Sequence, residues 1–525
     1  MPRYGLFCLA TVLYAANCER PSTGFFPLDD PFFDRPYRGM EGGLYPGGAS
    51  VPPSAHFAAG LRLAAEVRPR NSAGAADDAA GRIVLVSIGM SNTTQEFSTF
   101  KPLADRDPEK NPQLLIVDGA QGGWSADRLV AGGQEYWNTL DQRLRAAGAS
   151  AQQVQAAWMK QADAGPTLSF PEDARKLQAE LAMLARTLRE RFPNLRLLYL
   201  SSRTYAGYAS TNLNPEPYAY QSGFAVKWLI EAQISGDADL SYQAGRVPWM
   251  AWGPYLWADG TQPRDDGLTW ECADFQEDGT HPSPSGRQKV AVMLLQFFKG
   301  DPTARPWFVR RGPPPARAPA IAAIVNAASY QPAMAMGSIV TLFGSDFAAS
   351  ALSAPWLPLP VSLGGTSVLA GGRPAVLYYV SPAQINLVLP KATASTEIVV
   401  RRETLESNAL KFEPAFEAPG LFGALHDDGR LIRADDPARR GEIIQIFYTG
   451  ASIRHPLSRR PDFLPVVRIG GAVAEFHYSG PAPFFPGLHQ INARIPPDAP
   501  VGAAVPLIVE LASATSNSTP IAVRQ

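Results

Sequence analysis

A serine hydroxyl is a weak nucleophile at neutral pH. It becomes useful when an imidazole within hydrogen-bond reach takes its proton and a carboxylate orients that imidazole. Three residues of this chain have the types and placement for such a set. Ser91 stands where the apolar run Ile83 to Ile88 breaks into Gly89, Met90, Ser91 and Asn92. Asp278 and His281 stand three residues apart in DGTHPSPSG, far downstream. Histidine is scarce: only His56 and His281 fall before residue 300, so a histidine-dependent site there has two candidates. His56 opens a short helix and reads as structural. Each element also has a plain structural reading. Ser-Asn after a strand is ordinary helix N-cap chemistry, and Asp-x-x-His suits a capped turn.

The elements that must position these residues follow from periodicity. Between residues 81 and 300, strand and helix signals alternate, which predicts a parallel sheet with helices on both faces. The expected strands are Ile83–Ile88, Leu114–Val117, Val154–Met159, Leu195–Leu200 and a stretch near Pro248–Trp252. Amphipathic helices are expected from Pro171 to Phe192 and from Pro284 to Phe298. In such a sheet Ser91 lies on the rim beyond the strand C-termini, where ligands bind in open α/β folds. Ahead of it, residues 19–80 are rich in Pro, Gly and aromatics and read as an irregular wrap on the α/β domain. Residues 301–320, rich in proline, read as a semi-rigid linker.

Beyond the linker the texture becomes short alternating strands, and the chain repeats itself. GSIVTLFG at Gly337 answers GEIIQIFYTG at Gly441, and AQINLVLP at Ala383 answers HQINARIP at His489. The offset stays near one hundred residues, the size of an immunoglobulin-like sandwich. Two all-β modules are therefore expected, at 321–416 and 417–525. The recurring Gln384-Ile385-Asn386 and Gln490-Ile491-Asn492 read as a structural feature of equivalent strands.

Composition narrows the function classes. With 47 Lys and Arg against 48 Asp and Glu, the net charge is −1, and no long basic or acidic run occurs. Nothing here asks for nucleic acid or an anionic membrane surface. The three cysteines, Cys8, Cys18 and Cys272, form no CxxC pair or Cys/His cluster, so neither a metal nor a cofactor is expected. Cys8 lies in an apolar stretch after Arg3 that reads as a secretory signal peptide over residues 1–18, with cleavage after Ala15 or Ala16. Export is the expected location, with no transmembrane anchor beyond that peptide. Cys18 allows two readings, a lipoprotein anchor with a poor lipobox or a pairing with Cys272.

Taken together, the order and spacing of GMSN (89–92), IVDGAQGGWSADR (116–128) and DGTH (278–281) resemble the SGNH (GDSL-type) hydrolase superfamily. Met90 stands where GDSL enzymes carry aspartate, which brings the first block closer to the GQSN form of sialate O-acetylesterase-like and related carbohydrate esterases. The resemblance spans residues 82 to about 300. It implies a flavodoxin-like three-layer sheet in which Ser91 attacks an ester carbonyl, His281 serves as general base and then acid, and Asp278 orients it. Register against the second strand puts the oxyanion glycine at Gly123, with Gly119 and Gly122 as near alternatives. The third block departs from the family pattern: where Gly-x-Asn-Asp is expected, the chain has WMKQADAGP, without the oxyanion asparagine. Losing one such donor typically costs about 100–1000-fold in turnover. Gln161 carries the same donor on a longer stem, and Lys160 carries a full charge.

Asn92, Lys160 and Trp124 are the candidates to touch substrate, which the resemblance implies is an acylated carbohydrate or another small ester. The rings Trp249, Trp252, Tyr255 and Trp257 are expected to be mostly core, and one exposed near the site would favour a sugar. The repeats, opening with IVNAASYQP at Ile324, resemble an Ig-like C-terminal module of secreted bacterial proteins, which implies contact with a cell surface or polysaccharide. A competing expectation is a non-catalytic glycan-binding surface protein with an SGNH-like domain on Ig-like stalks.

Overall fold

A computed structural model of the chain describes every residue except 1–15, 31–35, 311, 313–314, 392–395, 452–464 and 512–513. Most of the expected signal peptide therefore lies outside the described residues, and its expected end at residue 18 is corrected: Cys18 is bonded to Cys272 and so belongs to the folded domain. Among the described residues no helix is long and apolar enough to cross a membrane.

Ile83–Gly89 (β1) is buried along its whole length, as a strand covered on both faces must be. Leu114–Val117 (β2), Val154–Lys160 (β3), Leu197–Ser201 (β4) and Trp249–Trp252 (β5) complete a five-stranded parallel sheet in the order β2-β1-β3-β4-β5. The chain moves from β1 to β2 on one side and later reaches β3 on the other. With right-handed crossovers, that reversal places helices on both faces and opens a crevice at the C-terminal ends of β1 and β3.

The helices are Ser54–Glu66 (α1), Ser91–Asp105 (α2), Ala126–Gly132 (α3), Gln134–Ala146 (α4), Glu172–Arg191 (α5), Tyr218–Ile234 (α6), Pro284–Gly300 (α7) and Arg305–Phe308 (α8). Helix α2 packs on α7, and α5 packs on α6. The long α5 has Glu172 and Asp173 in its first turn and Arg189 and Arg191 in its last, charges that complement the helix dipole.

The N-terminal segment packs on this domain through its rings and its backbone. Leu28 is fully buried and its N–H donates to the Tyr255 hydroxyl at 3.1 Å. The Trp252 indole donates to the Leu44 carbonyl at 2.7 Å. His56 is structural: its Nε2 meets the Met250 carbonyl at 2.9 Å, and its ring stacks on Trp249 at 4.9 Å.

The expected linker begins too early. Trp307 and Phe308 of α8 are buried, Phe308 stacks on Phe298 at 5.2 Å, and Val309 bridges to Lys110. Residues 301–309 therefore complete the α/β core, because two large rings outweigh the local proline content.

Among the described residues the C-terminal half is all β and antiparallel apart from the short pairing of Ala438–Arg439 with Thr519–Arg524 and an isolated bridge between Ala335 and Ala415. In the first module, Ala320–Asn326, Ile339–Ser345, Gln384–Val388 and Val376–Val380 lie in one sheet, and Thr366–Ala370 and Glu397–Arg402 in the other. Val340, Leu342, Ile385 and Leu387 meet Val368, Ile398 and Val400 in the core between them.

The second module differs from a pair of separate sheets. Among the described residues its strands join into a single nine-stranded sheet because one ten-residue strand, Ala472–Pro481, serves both halves. Its start pairs with Val467–Ile469 and its end with His489–Arg494, with a bulge between Phe476 and Tyr478. In both modules the repeated motif makes the same local bond, Gln384 to Asn386 at 2.8 Å and Gln490 to Asn492 at 2.7 Å. The repeat is thus a strand-stiffening device.

The modules are not free of the α/β domain. Leu359 donates its N–H to the Asp266 carbonyl at 2.7 Å, and Lys391 pairs with Asp265 at 2.6 Å. The first module meets the second through Tyr378, whose hydroxyl donates to the Pro486 carbonyl at 2.7 Å.

Candidate active site

Strand β1 ends at Gly89, a position where nothing larger than glycine fits. A Cβ on Gly89 would come 2.4 Å from the Lys160 carbonyl oxygen and 2.3 Å from the Thr93 hydroxyl. The chain then turns, and Ser91 becomes the first residue of α2. At this position its N–H is one of the helix donors without an intrahelical partner, at the positive end of the helix dipole.

The loop after β2 is held beside the serine by a polar braid. Ser87 donates to Asp118 at 2.6 Å and Thr94 to the other oxygen of Asp118 at 2.5 Å. The N–H of Gln121 donates to the Gly89 carbonyl at 3.0 Å.

His281 and Asp278 arrive on the loop before α7. The His281 Nε2 lies 2.8 Å from the Ser91 Oγ, and its Nδ1 lies 2.5 Å from Asp278 Oδ2. The second oxygen of Asp278 accepts the backbone N–H groups of Thr280 and His281, at 3.0 and 2.9 Å. Burial alone would raise the Asp278 pKa, but the hydrogen bonds from the His281 ring and these two N–H groups outweigh it and hold it at about 2. The side chains of His281 and Asp278 are 21% and 24% exposed, so the pair opens to solvent. Gly279 lets this loop press against its neighbour: its φ is +63°, and a Cβ there would sit 1.9 Å from the Tyr208 carbonyl oxygen.

The structure brings Ser91, His281 and Asp278 together and sorts the other candidates differently. Gly123 has φ +81° and is exposed, with nothing within 4 Å of where its Cβ would stand. Gly122 passes nearer the serine, since a Cβ there would lie 3.9 Å from Ser91 Cβ. Gln161 is buried and donates Nε2 to the Trp124 carbonyl at 3.0 Å. One of its two amide hydrogens is thereby engaged, and its Oε1 has no hydrogen-bond partner. Trp124 is half-buried, edge-on to Tyr136 at 6.0 Å, and is a ring of this loop that still reaches solvent.

Two expected substrate contacts are corrected. Lys160 is sealed from solvent and its ammonium sits on both oxygens of Glu96, at 2.5 and 2.7 Å. A side chain whose charge is balanced inside the domain is a structural partner of Glu96 and does not meet a ligand. Asn92 is 2% exposed, and its side-chain amide donates to the Thr280 carbonyl at 2.8 Å. It ties the serine's helix to the histidine's loop. Trp249, Trp252, Tyr255 and Trp257 are all buried, so none of the four offers a sugar platform.

Sequence reasoning missed Glu96 and Arg203. Arg203 follows β4 and is 2% exposed; its Nε has no partner, and one Nη reaches the Leu213 carbonyl at 3.5 Å. Glu96 lies on the buried side of α2, and its polar identity between Gln95 and Phe97 gave no hint of burial. Among the described residues no group of three or more His, Cys, Asp or Glu side chains is arranged to hold a metal ion.

The chain matches no known protein family model and no curated protein. Among solved structures it is similar to BT4096, a gut microbial diltiazem-metabolizing enzyme, at 14% identity and TM-score 0.25, covering 52% of this chain. The match spans 58% of that protein's length. It is also similar to the I9–I11 tandem from titin, at 13% identity and TM-score 0.12, covering 39% of this chain and 65% of that one. Titin Ig tandem domains A164–A165 match at 9% identity and TM-score 0.12, covering 39% of this chain and 97% of that one. At such TM-scores none of these likenesses bears on the activity of this chain.

Proposed function

We propose that this protein is an exported serine esterase of the SGNH type that removes acyl groups, such as acetyl, from carbohydrate esters. The observation that carries this reading is the unbroken relay from Ser91 Oγ through His281 to Asp278, at 2.8 and 2.5 Å, on an open rim. The strand order and the placement of Ser91 after β1 support the family reading. The bond between Cys18 and Cys272 supports export, since such bonds persist in oxidising compartments. It also occupies the thiol that a lipoprotein anchor would need. Support for a sugar substrate rests on Trp124 alone.

In this mechanism Ser91 attacks the ester carbonyl while His281 Nε2 takes its proton. Asp278 remains a carboxylate and stabilises the imidazolium. The oxyanion forms against the Ser91 N–H and the glycine loop at Gly122–Gly123, where donors preset before the reaction act most strongly. His281 then protonates the departing alkoxide, and a water repeats the sequence on the acyl-enzyme. Gln161 contributes its remaining amide hydrogen as the third donor.

The non-catalytic glycan-binding reading draws on one observation, the engagement of Gln161 by Trp124 where a free asparagine donor is the family pattern. A fluorophosphonate probe separates the two. Labelling and aryl acetate hydrolysis that both vanish in Ser91→Ala support the esterase. Absence of labelling in the folded wild type would overturn it.

A further inference from the structure

The segment 17–24 forms neither helix nor strand, and it adds no residue to the buried apolar core, which begins at Leu28. It is nevertheless fastened to both supports of the loop that carries Asp278 and His281. That loop is closed at its base: Phe275 bridges Pro282, the Gln276 N–H donates to the His281 carbonyl at 2.8 Å, and the Ser283 N–H to the Asp274 carbonyl at 2.8 Å. The base opens from Cys272, which is bonded to Cys18. The tip leans on residues 208–210, where Gly279 abuts the Tyr208 carbonyl and the Ser210 N–H donates to the Asp278 carbonyl at 3.0 Å. The same Tyr208 carbonyl accepts the N–H of Asn17 at 2.8 Å. Two consecutive residues thus grip the loop from its base and from behind its tip.

The rest of the segment is held by Asp259, which is 5% exposed. Its Oδ1 accepts the Thr23 N–H and hydroxyl at 2.6 and 2.7 Å, its Oδ2 accepts the Gly24 N–H at 3.0 Å, and the Ser22 hydroxyl also donates to it. Tyr205 donates its hydroxyl to the Arg20 carbonyl at 2.7 Å, and the Thr261 N–H donates to Pro21 at 2.9 Å.

We propose that residues 17–24 are a positioning strap for the Asp278–His281 loop, locked by the Cys18–Cys272 bond, so that reducing this bond disarms the site while the domain stays folded. The physical ground is locality. Opening the bond leaves a segment outside the core held by hydrogen bonds alone, and local opening of such segments requires less free energy than global unfolding. A shift of about 1 Å in a catalytic group is enough to lower turnover about 100-fold. Dithiothreitol supplies the two electrons and two protons: the sulfur–sulfur bond opens to two thiols, and the dithiol closes to its cyclic disulfide.

The strap rests on the esterase reading only for its activity readout, so the test uses a structural readout beside it. Amide hydrogen exchange is measured on the full chain when oxidised, reduced with dithiothreitol and re-oxidised, together with aryl acetate kinetics. Reduction is expected to speed exchange in residues 275–283 at least tenfold while strands β1 and β3 stay protected. It should also lower kcat tenfold or more with KM within twofold, reversibly. Oxidised Asp259→Ala, which leaves the bond intact, should show faster exchange in residues 17–24 and a smaller loss of kcat. Unchanged exchange in 275–283 on reduction overturns the strap, and so does loss of protection throughout the sheet, which would make the bond a global staple. Faster local exchange in a protein that hydrolyses nothing in either state upholds the strap and overturns the esterase reading.

Discussion

Asn92 donates its side-chain amide to the Thr280 carbonyl at 2.8 Å, so the residue after the candidate nucleophile holds the residue before the candidate base. The two sides of the site are separated by 188 positions in the chain and meet through this buried bond as well as through Ser91 and His281. Its neighbour Thr93 anchors the same helix to β3 by donating to the Lys160 carbonyl at 2.7 Å.

Asn92→Ala is therefore expected to keep the fold and lower kcat on an aryl acetate about 10- to 100-fold, with little change in KM, because misplacement of the reacting groups is felt in turnover. Asn92→Asp should be no better, since a carboxylate facing the Thr280 carbonyl is an acceptor facing an acceptor. Steady-state kinetics on both variants decide the matter. Wild-type turnover in Asn92→Ala would show that the bond is dispensable.

Asp278 sets a pH expectation. Its pKa is lowered from the ordinary 3.8 to about 2 by the bonds described above. A depressed carboxylate adds stability that is complete above about pH 4 and is lost as pH falls towards 2. The acid limb of kcat/KM should accordingly show no break from Asp278 above about pH 3. Asp278→Asn should reduce kcat about 10⁴-fold, the size seen when the orienting carboxylate of such a relay is replaced, and should lower the melting temperature modestly at pH 7, where the carboxylate's contribution to stability is fully present. A break in the profile near pH 4, the ordinary carboxylate range, would contradict this assignment.

The Glu96–Lys160 pair yields a stability cycle. Desolvation pushes the Glu96 pKa up and holds Lys160 down at about 8, while each partner's charge opposes the shift of the other. Removing one partner strands a buried charge, at about 3–5 kcal/mol. Lys160→Met and Glu96→Leu alone should each be strongly destabilising in urea titrations. The double variant should recover most of the loss. Additive losses in the double variant would mean that the two side chains do not act as a pair.

His489 lies where the second module meets the first, with its ring 5.4 Å from that of Tyr448. Desolvation, with a smaller push from the Lys391 charge, lowers its pKa from 6.5 to about 4. Between those values the unfolded chain binds a proton that the folded chain does not, so stability is full above about pH 6.5 and declines as pH drops towards 4. His489→Phe keeps a ring against Tyr448 and should flatten this dependence in urea midpoints between pH 7 and 5. An identical slope in the variant would remove His489 from the account.

How much of this was readable from the chain follows the range of the interactions. The end of β1 was legible because an apolar run stopping at Gly89-Met90-Ser91 is a local signal. Asp278 and His281 were legible because their mutual bond spans three residues. Lys160 was not, because its partner Glu96 is 64 positions away and nothing in either neighbourhood announces the pairing. The role of Asn92 was hidden for the same reason. Prolines near Trp307 suggested a linker, yet two rings finding space beside Phe298 decided the fold there. The repeat was legible as a period, but not as a joined sheet, since a ten-residue strand shared by two halves has the same alternation as any other.

That shared strand, Ala472–Pro481, also fixes how the second module would respond to force. Load applied at one edge travels along its hydrogen-bonded ladder directly into the opposite edge, and among the described residues no seam lets the halves slide apart. Stretched by its ends, the module should therefore rupture in one event, as a single mechanical unit.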